Sequence, residues 1–113
     1  MVVRSWREDH CAVVEVLGDL DVAGAPRLRA EIEQTLTEPL NLVLDLSEVP
    51  FCDSVGLGVL VAVLNRIRQS RGRLILVVAP GMIPHLLTIT NLDRHFETTG
   101  SLADARLALG AAA

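Results

Sequence analysis

Apolar residues along this chain fall into two kinds of run, and their alternation predicts an α/β domain. Cys11-Ala12-Val13-Val14-Glu15-Val16-Leu17 reads as a strand, with Ser5 to Arg7 as a short edge strand before it. Gly18-Asp19-Leu20-Asp21 breaks that run, and Pro26 suits the first turn of a helix, where its missing N–H costs nothing. Leu28, Ile32 and Leu36 then recur every four residues as one core-facing stripe, with Arg27, Arg29, Glu31 and Glu33 on the wet side. Leu40 to Leu46 is nearly continuous in apolar character, as expected of a central strand covered on both faces.

A long apolar helix follows over Leu57 to Arg71, with Gly72 as its C-terminal cap. Leu57, Leu60, Leu64 and Ile67 make a core stripe on it, which leaves Val59, Ala62 and Val63 on another side. Leu74 to Val78 is a second buried strand, closing a parallel strand–helix–strand unit. Beyond Pro80-Gly81 the pattern predicts a short helix around Ile83 to Thr88, a left-handed cap at Asn91 and a short strand near His95-Phe96-Glu97. A last helix starts at Ser101 as N-cap, with Asp104 in its first turn and Leu102, Leu107 and Leu109 packing it back. The Gly110 to Ala113 tail is expected to fray. With no repeats or linkers, the reading is one α/β domain over residues 1–113.

Composition narrows the function. The 113 residues are half hydrophobic and carry a net charge of -4, with ten arginines and no lysine. An acidic balance argues against direct nucleic-acid binding, which needs a clustered basic face. The one basic cluster, Arg66, Arg68, Arg71 and Arg73, sits where cations complement a helix C-terminus. No apolar run is long enough to span a bilayer, and the first nine residues are too polar for a secretory signal, so the expected location is cytoplasmic. Cys11 and Cys52 read as buried free thiols, and His10, His85 and His95 are too scattered to ligate a metal; no metal or cofactor is expected.

The junction Val49-Pro50-Phe51-Cys52-Asp53-Ser54-Val55-Gly56-Leu57-Gly58-Val59 concentrates the candidate chemistry. It places Ser54 about where the central helix begins, next to unpaired N–H groups and the positive end of the helix dipole. A hydroxyl there is an N-cap, a phosphorylation site, or both. Asp53 precedes the serine where a nucleophile elbow has another arrangement, no glycine stands two before it, and no Walker lysine exists, so an autonomous enzyme is not expected. Asp19, Asp21 and Asp53 end two strand-like runs. If those ends share a rim, the carboxylates surround the hydroxyl; the alternative is that they are solvated or capping residues. Val59, Ala62 and Val63 are either core or, if exposed, an apolar patch extending the serine face.

The stretch from Val43-Leu44-Asp45-Leu46-Ser47 through Phe51-Cys52-Asp53-Ser54-Val55-Gly56-Leu57-Gly58-Val59-Leu60 resembles the signature of STAS domains, specifically bacterial anti-sigma factor antagonists. Gly18-Asp19-Leu20-Asp21 with Ala25-Pro26-x-Leu28-Arg29, Gly72-x-Leu74 and Thr90-Asn91-Leu92 support it. Val55 stands where many members have serine or threonine, and Asn91 where glycine is usual. The resemblance implies a small mixed β-sheet flanked by about four helices, and a serine, Ser54 here, that an anti-sigma factor with serine-kinase activity phosphorylates and a serine phosphatase restores. Unphosphorylated, such a protein binds the anti-sigma factor and frees the sigma factor. The implied contact face comprises Asp19, Asp21, Asp53, Ser54, Val55, Gly56, Gly58, Val59, Ala62 and Val63, on a monomer or weak dimer. Two other roles of the same fold stay open: accessory subunit of an ABC-type lipid transporter, or scaffold subunit of a stress-sensing assembly.

Overall fold

The computed structural model describes residues 1–36 and 41–110. Its elements run β1 (Val2–Arg7), β2 (Ala12–Leu17), α1 (Ala25–Thr35), β3 (Leu42–Glu48), α2 (Ser54–Gln69), β4 (Leu74–Val77), α3 (Met82–Ile89), a 3-10 turn (Leu92–Arg94), β5 (Glu97–Thr99) and α4 (Leu102–Ala108). The five strands lie in sequence order, β1 antiparallel to β2 and every later neighbour parallel. The sheet is mixed, and β3 is its centre.

Alternation along the three middle strands divides the core in two. Val14, Val16, Leu42, Leu44, Leu74 and Leu76 face α1 and α2, where Leu28, Ile32, Leu60, Leu64 and Ile67 meet them. Val13, Val43, Ile75 and Val77 face the other way, under Ala105 of α4 with Trp6, Leu102 and Leu109 packed alongside. Both layers exclude water, and each large aliphatic side chain buried this way stabilises the fold by roughly 1.5–3 kcal/mol. The helix α4 is also tied electrostatically. Arg106 donates twice to Glu8, at 2.8 and 2.7 Å, and Arg73 donates to the Ala108 carbonyl at 2.7 Å.

Several expectations need correction. The edge strand β1 starts at Val2 because antiparallel pairing with β2 runs from Val2↔Leu17 to Arg7↔Ala12. The left-handed residue ending α2 is Arg71, at φ 60°, and not Gly72. Gly72 N–H reaches the Ile67 carbonyl at 3.0 Å and Arg71 N–H the Arg68 carbonyl at 3.1 Å, a Schellman closure shifted by one residue from the glycine. Leu107 stays 56% exposed, since Ala105 is the α4 residue that enters the core. The last strand comes slightly later than His95-Phe96-Glu97, with Phe96 buried just before it. Leu40 and the alanines of the tail lie outside the described residues. Asn91 is left-handed at φ 59°, and Ser101 caps α4 through a 3.1 Å bond from Asp104 N–H, both as expected. Cys11 and Cys52 are buried free thiols. The arginine cluster is spent on tethers: Arg66 pairs with Glu33, Arg68 donates to the His95 carbonyl, and Arg73 pairs with Glu97.

Candidate functional site: a serine face at the strand rim

Parallel pairing of β2 with β3 sends both C-terminal ends to one rim of the sheet. The Gly18 backbone, at φ +107°, turns the chain there, and its N–H still reaches the Glu48 carbonyl at 3.2 Å. Pairing then resumes past the strands as a bridge between Leu20 and Cys52. Leu20 N–H donates to the Phe51 carbonyl at 2.9 Å, and Asp53 N–H donates to the Leu20 carbonyl at 3.2 Å. The loop after β2 and the junction after β3 are therefore one backbone-bonded unit.

Asp53 completes that unit. It is the N-cap of α2: Oδ1 accepts from Gly56 N–H at 2.8 Å, and its carbonyl accepts from Leu57 N–H at 2.9 Å. Oδ2 reaches across to Val22 N–H at 3.1 Å. Asp21 acts in a similar way on the loop before α1, its Oδ1 accepting from Ala23 and Gly24 N–H at 3.1 and 2.9 Å. Asp53 thus caps α2 and Asp21 holds the turn before α1, while Asp19 is exposed on the same loop as Asp21. Beneath them Cys52 is buried, which together with the neighbouring Asp53 pushes its thiol up to about 11; it stays neutral and inert at pH 7.

Ser54 is the first residue of α2 and not its cap. Its side chain is exposed and makes no hydrogen bond among the described residues. With Gly56 and Leu57 satisfied by Asp53, the Ser54 and Val55 N–H groups are the two of the first turn without a partner among the described residues. No neighbouring side chain draws the proton from this hydroxyl, so any chemistry on it requires an outside base.

The expected stripe holds, with Leu57 packed against the core beside the buried Leu60, Leu64 and Ile67, but the buried face is wider than that stripe. Gly56, Val59, Leu60, Val63, Leu64 and Ile67 are buried, so Val59 and Val63 belong to the core and do not extend the serine face. Gly56 permits this wider contact: a Cβ there would overlap the Leu20 carbonyl oxygen, so only glycine lets α2 lie this close to the bridge. Gly58 and Ala62 are exposed, as is Val55.

The exposed apolar surface near Ser54 has a different origin. Val22 is 65% exposed, Phe51 42%, Val55 45% and Met82 39%. Val22 is bonded to Asp53, and Met82 Sδ accepts from Cys52 N–H at 3.2 Å, so three separate segments converge on the residues flanking the serine. A reading of helix α2 alone misses Val22, Phe51 and Met82. Their sequence signal is local: Val22 and Phe51 are apolar residues in turns, where no helix or strand carries them to a core. Among the described residues, no helix is long and apolar enough to cross a membrane.

Comparison with known proteins gives a consistent picture. The STAS domain family model matches residues 6–105. An anti-sigma-B factor antagonist of Listeria monocytogenes is 34% identical over 92 residues, covering 80% of each protein. The anti-sigma-F factor antagonist RsfB of Mycobacterium tuberculosis is 36% identical over 101 residues, covering 86% of this chain and 81% of that protein. The crystal structure of an anti-sigma factor antagonist from Mycobacterium paratuberculosis superposes with a TM-score of 0.87 at 30% identity, over 96% of this chain and 92% of that one. The mixed sheet, the capped serine junction and a family match over most of its length agree: the chain belongs to the STAS domain family.

Proposed function

We propose that this protein is an anti-sigma factor antagonist, a regulatory binding protein and not an enzyme, whose docking face is switched by phosphorylation of Ser54. The observation that carries the reading is the exposed, unbonded Ser54 hydroxyl at a helix start, on a junction where Val22, Phe51, Val55 and Met82 are also exposed. Relatives named as antagonists of anti-sigma-B and anti-sigma-F factors support the same role. In this role the unphosphorylated face binds an anti-sigma factor and frees the sigma factor. A kinase site on that partner holds the nucleoside triphosphate. The Ser54 O–H bond breaks and an O–P bond forms to the γ-phosphorus; the nucleoside diphosphate leaves with the electrons of the broken P–O bond, and the proton passes to a base of the kinase. A serine phosphatase reverses the switch by hydrolysis.

Physical chemistry favours an off-switch. A phosphate adds about -1.5 to -2 charges to a face that is apolar at its centre and already acidic at Asp19, Asp21 and Asp53. Docking would then require desolvating a dianion, and a penalty of ~3 kcal/mol weakens binding on the order of a hundredfold. Incubation with candidate anti-sigma kinases and ATP, read by intact mass and peptide mapping, is expected to add one phosphate at Ser54. Ser54→Ala is expected to hold the anti-sigma factor and Ser54→Asp to bind it more weakly. Equal affinity of the two variants, or a phosphate at another residue, refutes the switch.

A further inference from the structure

The Asp53 carboxylate joins two elements that no other side-chain hydrogen bond among the described residues connects. Its Oδ1 holds the start of α2 through Gly56 N–H, and its Oδ2 holds Val22 N–H, 31 residues away on the loop after β2. Val22 is the most exposed of the apolar residues flanking Ser54. Its N–H has one acceptor among the described residues, and that oxygen belongs to the residue next to the serine.

We propose that Asp53 is a charge-sensitive latch: phosphorylation of Ser54 releases Val22 from Asp53 and dissolves a portion of the docking face, in addition to covering it. This deepens the reading of Ser54 as the phosphorylated residue and rests on it. The phosphoryl oxygens attach to the first helical residue, beside the unpartnered Ser54 and Val55 N–H groups and within the first turn that Asp53 caps. Two anions then stand on adjacent residues and repel each other. Gly56 N–H passes from one anionic acceptor to another and remains bonded. Val22 N–H comes from a different segment and loses its acceptor when the carboxylate turns away. The neighbouring Ala23 and Gly24 N–H groups are bonded to Asp21, and they provide an internal reference in the same loop.

The test uses phosphoserine installed at position 54 during protein synthesis, so no kinase is involved and failure of the latch is separable from failure to find a kinase. Backbone 15N relaxation and amide exchange are measured on the full chain. On phosphorylation the Val22 order parameter is expected to fall from about 0.85 toward 0.6 or below. Its amide exchange is expected to accelerate by roughly fivefold or more, while Ala23 and Gly24 change by less than about twofold. In an Asp53→Asn background the neutral amide is not repelled, and the phosphate-dependent change at Val22 is expected to disappear. Unchanged Val22 dynamics in the phosphorylated wild type overturn the latch. Equal loosening in the Asp53→Asn background does so too, because it assigns the effect to something other than the carboxylate. Should Asp53→Asn fail to fold, the wild-type comparison decides alone.

Discussion

Gly56→Ala and Gly58→Ala make the same chemical change two residues apart on α2 and are expected to move stability in opposite directions. At Gly58 nothing lies within 4 Å of an added Cβ, so the methyl is tolerated and the helix gains the ordinary advantage of alanine over glycine, about 0.5–1 kcal/mol. At Gly56 the same gain is available, but the methyl would overlap the Leu20 carbonyl oxygen and lie 2.8 Å from Leu20 Cγ and 3.0 Å from its carbonyl carbon. A side chain could rotate away; a carbonyl bonded to Asp53 N–H cannot move without breaking the bridge to Cys52. Forced overpacking of this kind costs up to ~3 kcal/mol, and subtracting the propensity gain leaves a net loss of about 2 kcal/mol. Urea unfolding at constant m-value, supported by thermal melts, measures the pair. Gly56→Ala is expected to lower Tm by about 10 °C and Gly58→Ala to raise it by a few degrees. A Gly56→Ala protein as stable as the wild type would refute the close approach of α2 to Leu20.

Two further outcomes follow from features away from the serine. Arg71→Gly should stabilise by about 0.5–1 kcal/mol, read by urea midpoint, because Arg71 is exposed at φ 60° and its backbone alone closes α2. The Arg106 guanidinium, and then the Trp6 indole N–H, hold Glu8 well below its ordinary value near 4.5, at about 2. A depressed carboxylate stabilises fully above its unfolded pKa and loses that contribution as pH falls through the folded one. With Glu8 24% exposed and Arg106 41%, the ion pair is screened, and its worth is about 1 kcal/mol. The stability gap between wild type and Glu8→Gln, followed by Trp6 fluorescence, should hold near neutral pH and close between pH 4.5 and 2. A gap independent of pH across that window would show that the ion pair does not produce it.

Much of the architecture is legible in the hydrophobic pattern, because periodicity reports burial directly. The i, i+4 stripe of Leu28, Ile32 and Leu36 is buried as read, and the continuous run of β3 is the centre of the sheet. The pattern fails where it is degenerate. The first half of α2 is apolar almost all round, so several stripes fit equally well, and the contact of Gly56 with a backbone carbonyl chooses among them. Asp53-Ser54 offers two good caps in tandem, and hydrogen bonds to Gly56 and Leu57 N–H give the position to the aspartate. Gly72 satisfies every preference for a helix terminus, yet the Schellman register falls on Arg71. Part of the exposed apolar surface near Ser54 is a product of topology. Phe51 is on the serine's own junction, but Val22 and Met82 reach that junction through the β2–β3 pairing, the bond to Asp53 and the sulfur contact at Cys52.

The framework of the serine face is built largely on main-chain groups: the Leu20–Cys52 bridge, its flanking N–H···O=C bonds and the backbone N–H groups that Asp21 and Asp53 hold. The side chains of Val22, Phe51 and Val55 project from that framework and are largely exposed. Substitutions at such positions usually alter stability by no more than about 0.5 kcal/mol. The scaffold and the recognition code are therefore separable. A lineage carrying several duplicated copies of this domain could rewrite the three exposed side chains independently in each, insulating one signalling channel from another, while every copy retained the same capped junction and the same folding free energy.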